Sequence, residues 1–388
     1  MMSNYMVWPW CPLRPITEHL EWLTDIIEAH DGAEQRIRGR QEPRQSFEAS
    51  ILPNDPAELS RLRVAISAWQ HREWGWPCWH EAVELAATLP VASSSIPVDT
   101  TAADFRAGGL AIVSQGASLY EVVEISTVAS GSLALAAPTA MQHPVCAAVM
   151  PLRMARMSGQ ARREDHPVGA SRYSVTMQVT DNVELTTEAA AMQYLGYDVL
   201  SDPLLMPGDA MPRQIERPLD ILDPGPGAWA AFARTDYPLI STDHRWRFTT
   251  RAQAWAFRRW LHRRAGRLNP VWIPSRTHDL ALAVQPTAAA TTLQINDVNY
   301  RNVGLNRPGM THIAAFSASG AFVCRQITGA TAGSAGRENL TINAALGFTD
   351  VARISFLCLH RFTADRISLT WDRVGVATCR ASMTGVAA

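Results

Sequence analysis

Cysteine and histidine are the residues here most able to do covalent or metal chemistry, and they gather at one place: His71, Cys78 and His80. A Cys beside a His suggests an activated thiolate, and His, Cys, His are plausible zinc ligands. A nucleophile needs a base held next to it. Zinc motifs pair ligands a few residues apart, with a second pair downstream. No second pair follows, no CxxC occurs among the six cysteines, and a matching later stretch keeps His262 and His278 but has Val271 in place of Cys78. No G-x-S-x-G elbow and no glycine-rich phosphate loop is present. Glu121, Glu124 and Asp297 fall on expected strand edges and turns, so they read as solvated surface. The expectation is a chain with no catalytic residues, no metal site and no cofactor.

Arginine is the other chemical signal. The chain has no lysine, and all of its 35 Lys+Arg positions are arginine, a residue suited to interfaces because its planar fork pairs with carboxylates. Arg258, Arg259, Arg263, Arg264 and Arg267 cover the polar side of one amphipathic segment that also carries Trp255 and Trp260. These seven are the candidate subunit interface, since Trp and Arg are enriched at binding hot spots. A solvated helix face and a nucleic-acid contact are the competing readings. A net charge of −1 and a pI near 6.8 argue against broad electrostatic attraction to nucleic acid or membrane.

The elements that must position these residues come as an internal repeat, offset by about 195 residues. In the first copy Phe47, Ala49 and Ile51 alternate with polar residues, which predicts a half-buried strand. Asp55-Pro56-Ala57-Glu58 then predicts a capped helix with Leu59, Leu62, Ile66 and Trp69 as its stripe. In the second copy Trp246 and Phe248 alternate, Thr250-Arg251-Ala252-Gln253 is the capping box, Ala254, Phe257 and Leu261 form the stripe, and Gly266 is the stop. Pro77-Cys78-Trp79 is matched with Pro270-Val271-Trp272. Hairpins follow at Ile112–Ile125 and Ala315–Ile327, then Leu133–Leu135 and Leu340–Ile342, then Val145–Leu152 and Val351–Leu359. The last matched strands are Tyr173–Val179 and Ile367–Trp371. Each module is therefore strand, helix, then about six short strands. The expected fold is mainly β (α+β), with two tandem β-barrel or sandwich modules and one flanking helix on each.

The domain boundaries follow from this pattern: residues 1–30 as an N-terminal segment, 31–182 as the first module, 183–216 as a connector, and 217–388 as the second module. Thr17–Ala29, with Leu20, Leu23 and Ile27, is expected to be a short helix. Arg14-Pro15-Ile16 echoes Arg217-Pro218-Leu219. Pro203, Pro207, Pro212 and Pro218 punctuate the connector, and Gly329–Gly336 is expected to be a flexible loop. The widely spaced cysteines suggest free thiols and a reducing compartment. No signal-like start or membrane-length apolar run is present, so assembly in cytoplasm is expected.

Two stretches resemble phage tail-tip proteins of the distal-tail and baseplate-hub family. One runs from Phe257 through Arg267 to Trp272, a helix ending in an arginine–glycine turn before an aromatic strand. The other is Asp31–Arg36 followed by Pro43–Phe47. The resemblance implies a β-barrel with a flanking helix, built into a ring that joins the tail tube to the hub, fibres or tape-measure protein. DNA would pass through the ring without specific binding, and the protein would sit at the virion tail tip. It further implies a homotrimer with pseudo-six-fold symmetry, three chains of two modules each, with a homohexamer as the rival. Glu73-Trp74-Gly75 replaces the basic turn in the first copy. The alternative function is a carbohydrate- or receptor-binding β-sandwich of the virion, stacking sugars on Trp74, Trp76 and Trp79.

Overall fold

The computed structural model describes residues 5–29, 32–53, 55–165, 171–187, 190, 192–200, 212–235, 238–334 and 336–386. Asp31, Pro203 and Pro207 lie outside the described residues. The chain is mainly β, with two 14-residue helices, α1 (Pro56–Trp69) and α2 (Arg251–Arg264), and a short helical turn at Tyr300–Val303.

Local chemistry sets the helix ends. The Asp55 carboxylate accepts the Glu58 N–H at 2.7 Å and Pro56 takes the first helical position, where its missing N–H costs nothing. The Thr250 hydroxyl accepts the Gln253 N–H at 3.3 Å, and the Gln253 side chain accepts the Thr249 N–H at 3.0 Å. α2 stops where Ala265 and Gly266 both adopt positive φ, 50° and 64°. Leu62, Ala65 and Ile66 face inward from α1; Ala254, Phe257 and Leu261 do so from α2.

One antiparallel sheet runs through both halves of the chain. In spatial order its strands are Arg162–Asp165, Ser171–Val179, Arg44–Ile51, Leu13–Glu21, Arg366–Arg373, Val376–Gly385, Leu239–Phe248 and Arg213–Glu216. The first four and the last four play the same roles in the same order. Each half has an edge strand, a closing strand, a leading strand that runs into the helix, and an opening strand. A hairpin links opening to leading strand in both: Thr24–Glu28 with Glu34–Arg38, and Leu219–Leu222 with Ala230–Ala233. Beyond the helix, Glu73–Pro77 pairs with Ala148–Met157, and Val271–Pro274 with Val351–Phe362. These long strands carry the hairpins Leu110–Gly116/Leu119–Ala129 and His312–Ser317/Phe322–Ala332. A single apolar core containing Phe47, Trp76, Trp246, Phe257 and Trp371 runs beneath the shared sheet.

Several sequence expectations need correction. Thr17–Ala29 is no helix: Leu13–Glu21 and Thr24–Glu28 are strands, so residues 1–30 contribute the opening strand of the first half. Likewise Arg213–Glu216, placed in the connector, is the opening strand of the second. The Arg-Pro echo is out of register with these strands. Pro77 faces Leu152 at the end of its strand, whereas Pro270 precedes its strand and Pro274 faces Leu357, so Pro77 matches Pro274 and not Pro270. The counterpart of Ser171–Val179 is Val376–Gly385; Arg366–Arg373 matches the edge strand Arg162–Asp165. Gly329–Ala332 is ladder rather than loop, paired with Glu338–Thr341 across a bulge.

Candidate subunit interface

The two halves meet along Leu13–Glu21 and Arg366–Arg373, with Ile16 opposite Trp371, Glu18 opposite Leu369 and Leu20 opposite Ile367. Ile16, Glu18 and Leu20 share the inward face of the pleat, because alternate residues point the same way. A carboxylate in that row needs a buried partner. α2 supplies it. Arg258, 2% exposed, pairs with Glu18 at 2.9 Å and with Glu81 from the short 3-10 turn Trp79–Glu81.

Most other polar atoms of the cluster have partners, while His80 Nε2, Arg153 Nε and Arg258 Nε have no hydrogen bond. Glu18 also accepts from Gln45 Nε2 at 2.6 Å and Trp371 Nε1 at 2.9 Å. Glu81 accepts the Asp104 N–H at 2.7 Å and lies 3.4 Å from His80 Nε2. Asp104 in turn pairs with Arg153 at 2.7 Å and Arg106 at 2.5 Å. Burial alone would raise the Glu81 carboxyl; the Arg258 guanidinium, His80 and the Asp104 amide outweigh it and hold Glu81 well below the usual carboxylate range. Burial would lower Arg258, and Glu18 with Glu81 holds it above the usual guanidinium value. The cavities beside this cluster hold only about 10 Å³ each, too little for a substrate. The cluster ties one half of the chain to the other.

Most of the seven residues expected to meet a neighbouring subunit make contacts within the chain. Arg258 and Arg264 are buried. Arg263 and Arg264 share Asp198, with Arg263 Nη2 at 2.8 Å from Oδ1, and Arg264 also donates to the Pro270 carbonyl at 2.6 Å. Arg267 pairs with Asp365 at 3.2 Å. Arg259 donates to the Thr186 carbonyl at 2.8 Å. Trp260 packs against Phe257 and Phe362, and the Arg258 guanidinium lies over Trp255, 5.3 Å from the ring centroid. The helix covers an interface, but it is the one between the two halves.

The outer ends of the sheet are different. Arg162–Asp165 and Arg213–Glu216 are exposed along their lengths, and among the described residues each pairs on one side only. Register gives their counterparts. Phe47 lies between Glu18 and Met177; Thr242 lies between Arg213 and Met383. Arg213 therefore stands where Glu18 stands, and Ile215 where Leu20 stands. By the same count Arg163 matches Leu369 and Asp165 matches Trp371. The inner hairpin is pinned across the junction by Glu34 and Arg361 at 2.5 Å, while the outer one exposes Ile221, Leu222, Trp229 and Phe232.

Other sequence candidates separate. His71 is exposed at the end of α1, whereas Cys78 and His80 are buried. Among the described residues no group of three or more His, Cys, Asp or Glu is placed to hold a metal. Burial pushes the Cys78 thiol well up, away from a thiolate. Trp74, Trp76 and Trp79, the proposed sugar platform, are all buried, so that reading loses its residues. Glu121 bonds His143 at 2.9 Å, and Asp297 caps a turn through the Asn299 N–H. Behind the outer opening strand lies a cleft of about 460 Å³, lined in part by Ile215, Ile240, His244, Cys358 and His360. Sequence reasoning missed Glu18, Glu81, Asp104, Arg153 and Asp198. The available signal was Glu18 in an inward row between Ile16 and Leu20, legible only once that segment is read as a strand. No family model matches the chain, and no curated protein matches it.

Proposed function

We propose that this chain is a structural, non-enzymatic component of a phage tail tip, in which three copies close into a ring of six modules around a channel for DNA. The observation that carries this reading is the polarity of the shared sheet. The opening strand of the first half joins the edge strand of the second, and one strand of each kind is left over at opposite ends. A contact of this kind is heterologous, and when repeated it must close into a ring or grow into a filament. Three chains with two similar modules each give a surface that looks six-fold while the complex is three-fold, suited to a tier between a six-fold tube and a three-fold hub. The partners are then the tail tube, hub, fibre or tape-measure proteins, and the place is the virion tail tip after assembly in the host cytoplasm. The rival is a true hexamer in which one module lines the channel and the other decorates the outside.

Native mass spectrometry with symmetry-free image reconstruction tests this. The expected result is three chains of 42.6 kDa per ring, with both modules lining the channel. Six chains with one lining module would refute the trimer, and a chain that stays monomeric at every concentration would refute the ring.

A further inference from the structure

We infer that the outer opening strand seats Ile215 in a groove between α1 and the outer edge strand of the next copy. This rests on the ring reading and names the surfaces that make it. The internal junction supplies the pattern. There Leu20 is 1% exposed and sits beneath α2, near Arg258 and His262. Its counterpart Ile215 is 73% exposed. The matching receptor is also open. Arg258 and His262 are the eighth and twelfth residues of α2; the eighth and twelfth of α1 are Arg63 and Ser67, both exposed. Between α1 and the outer edge strand lies a groove of about 370 Å³, lined by Ile66, Ser67, Gln70, Ala161, Arg163 and Tyr173, with Arg63 at its rim.

Carried over from the inner register, Arg213 would stand opposite Arg163 and diagonal to Asp165, as Glu18 stands opposite Leu369 and diagonal to Trp371. Asp165, held below the usual carboxylate range by Ser171 and Arg163, is exposed and ionised. The occupant of the groove is a second copy of this chain, because the groove holds the place that seats Leu20 within the chain. The strand and the groove are on different halves, so the contact runs head to tail.

Two variants test it, Ile215→Glu on the strand and Ser67→Trp in the groove. Both positions are exposed, so each chain should fold with an unchanged melting curve. Each variant alone should be monomeric, with its assembly midpoint moved by roughly a hundredfold or more, as for loss of a buried anchor. Mixed together they should form one-to-one dimers and nothing larger, because one intact strand and one intact groove remain. If either variant alone assembles like the parent chain, or if the mixture stays monomeric, this contact is wrong while the ring reading stands. If the parent chain itself never assembles, both fall.

Discussion

Arg258→Met is the sharpest test of how the two halves hold together. The substitution keeps an unbranched, apolar stem of similar length and deletes the guanidinium that Glu18 and Glu81 share. The donors that remain are Gln45 and Trp371 on Glu18, and the Asp104 amide on Glu81, with His80 Nε2 3.4 Å from Glu81. Each carboxylate keeps hydrogen bonds but loses its closest counter-charge in a site closed to water. Breaking a buried pair from one side costs about 3–5 kcal/mol, because the partner's desolvation is left uncompensated. Equilibrium unfolding in urea at pH 7 should show that loss.

The pH dependence separates this cause from simple loss of packing. In the parent chain the Glu81 pKa is depressed on folding, so its contribution is present above the unfolded value near 4.5 and is lost as pH falls. Without Arg258 the burial that raises Glu81 loses its largest opponent, and only His80 and the Asp104 amide still counter it. Protonation then relieves the variant, and the gap between variant and parent should narrow between pH 7 and about pH 4.5. Adding Glu18→Gln and Glu81→Gln should recover most of the loss at pH 7, since a neutral network carries no stranded charge. A variant as stable as the parent at pH 7, or a gap unchanged by acid, would refute the account.

Phe257→Ala removes a buried ring that lies 4.6 Å from Phe248 and 5.1 Å from Trp246, and should cost about 3–5 kcal/mol in the same unfolding assay. Burial, with Arg258 adding, pushes His262 down to about 3, and burial holds His244 and His360 down to about 4. Because these folded values lie below the unfolded 6.5, stability should fall as pH drops from about 6.5 toward 4, and His262→Gln should flatten that slope; a flat profile in the parent chain would contradict it. Arg259→Glu should leave both the melting curve and ring formation nearly unchanged, since α2 faces the inner junction; loss of rings on native electrophoresis would return this helix to the subunit surface.

The parts of this molecule that were legible in its sequence are those that local chemistry determines. Asp55-Pro56 and Thr250-x-x-Gln253 declare helix starts because the cap and the amide it satisfies are three residues apart. The hairpins around Gly116 and Gly320 are local in the same way. Leu13–Glu21 was not legible, because its inward row Ile16, Glu18, Leu20 is broken by a charge whose partner lies on α2, 240 residues later. With that row obscured, Leu20, Leu23 and Ile27 fall by chance at helical spacing. The in-chain partners of the α2 arginines were not legible for a related reason. Sequence displays the charges on one element, but not that Glu18, Glu81, Asp198 and Asp365 converge on them from four distant segments.

On the proposed ring, the divergence between the inner junction and the outer strands would follow from when each contact forms. The inner junction is made once, during folding, and never faces water again. It can therefore hold Leu20, Leu369 and Trp371 and a closed ionic cluster at strands of nine and eight residues. In that ring the outer surfaces would have to stay soluble until a neighbour arrives. A long apolar sheet edge would pair with any chain, and short, charged strands blunt that hazard. Both outer strands are only four residues long; Arg163 and Asp165 replace Leu369 and Trp371, and Ile215 is the one apolar residue on its strand. The replacement of Glu18 by Arg213 adds discrimination. An outer opening strand that invaded another copy's inner junction would bring Arg213 against Arg258, a like-charge contact in a dry site, at the cost of the Glu18 pair. On the proposed ring, the same repeat would yield one contact made in folding and one made on assembly.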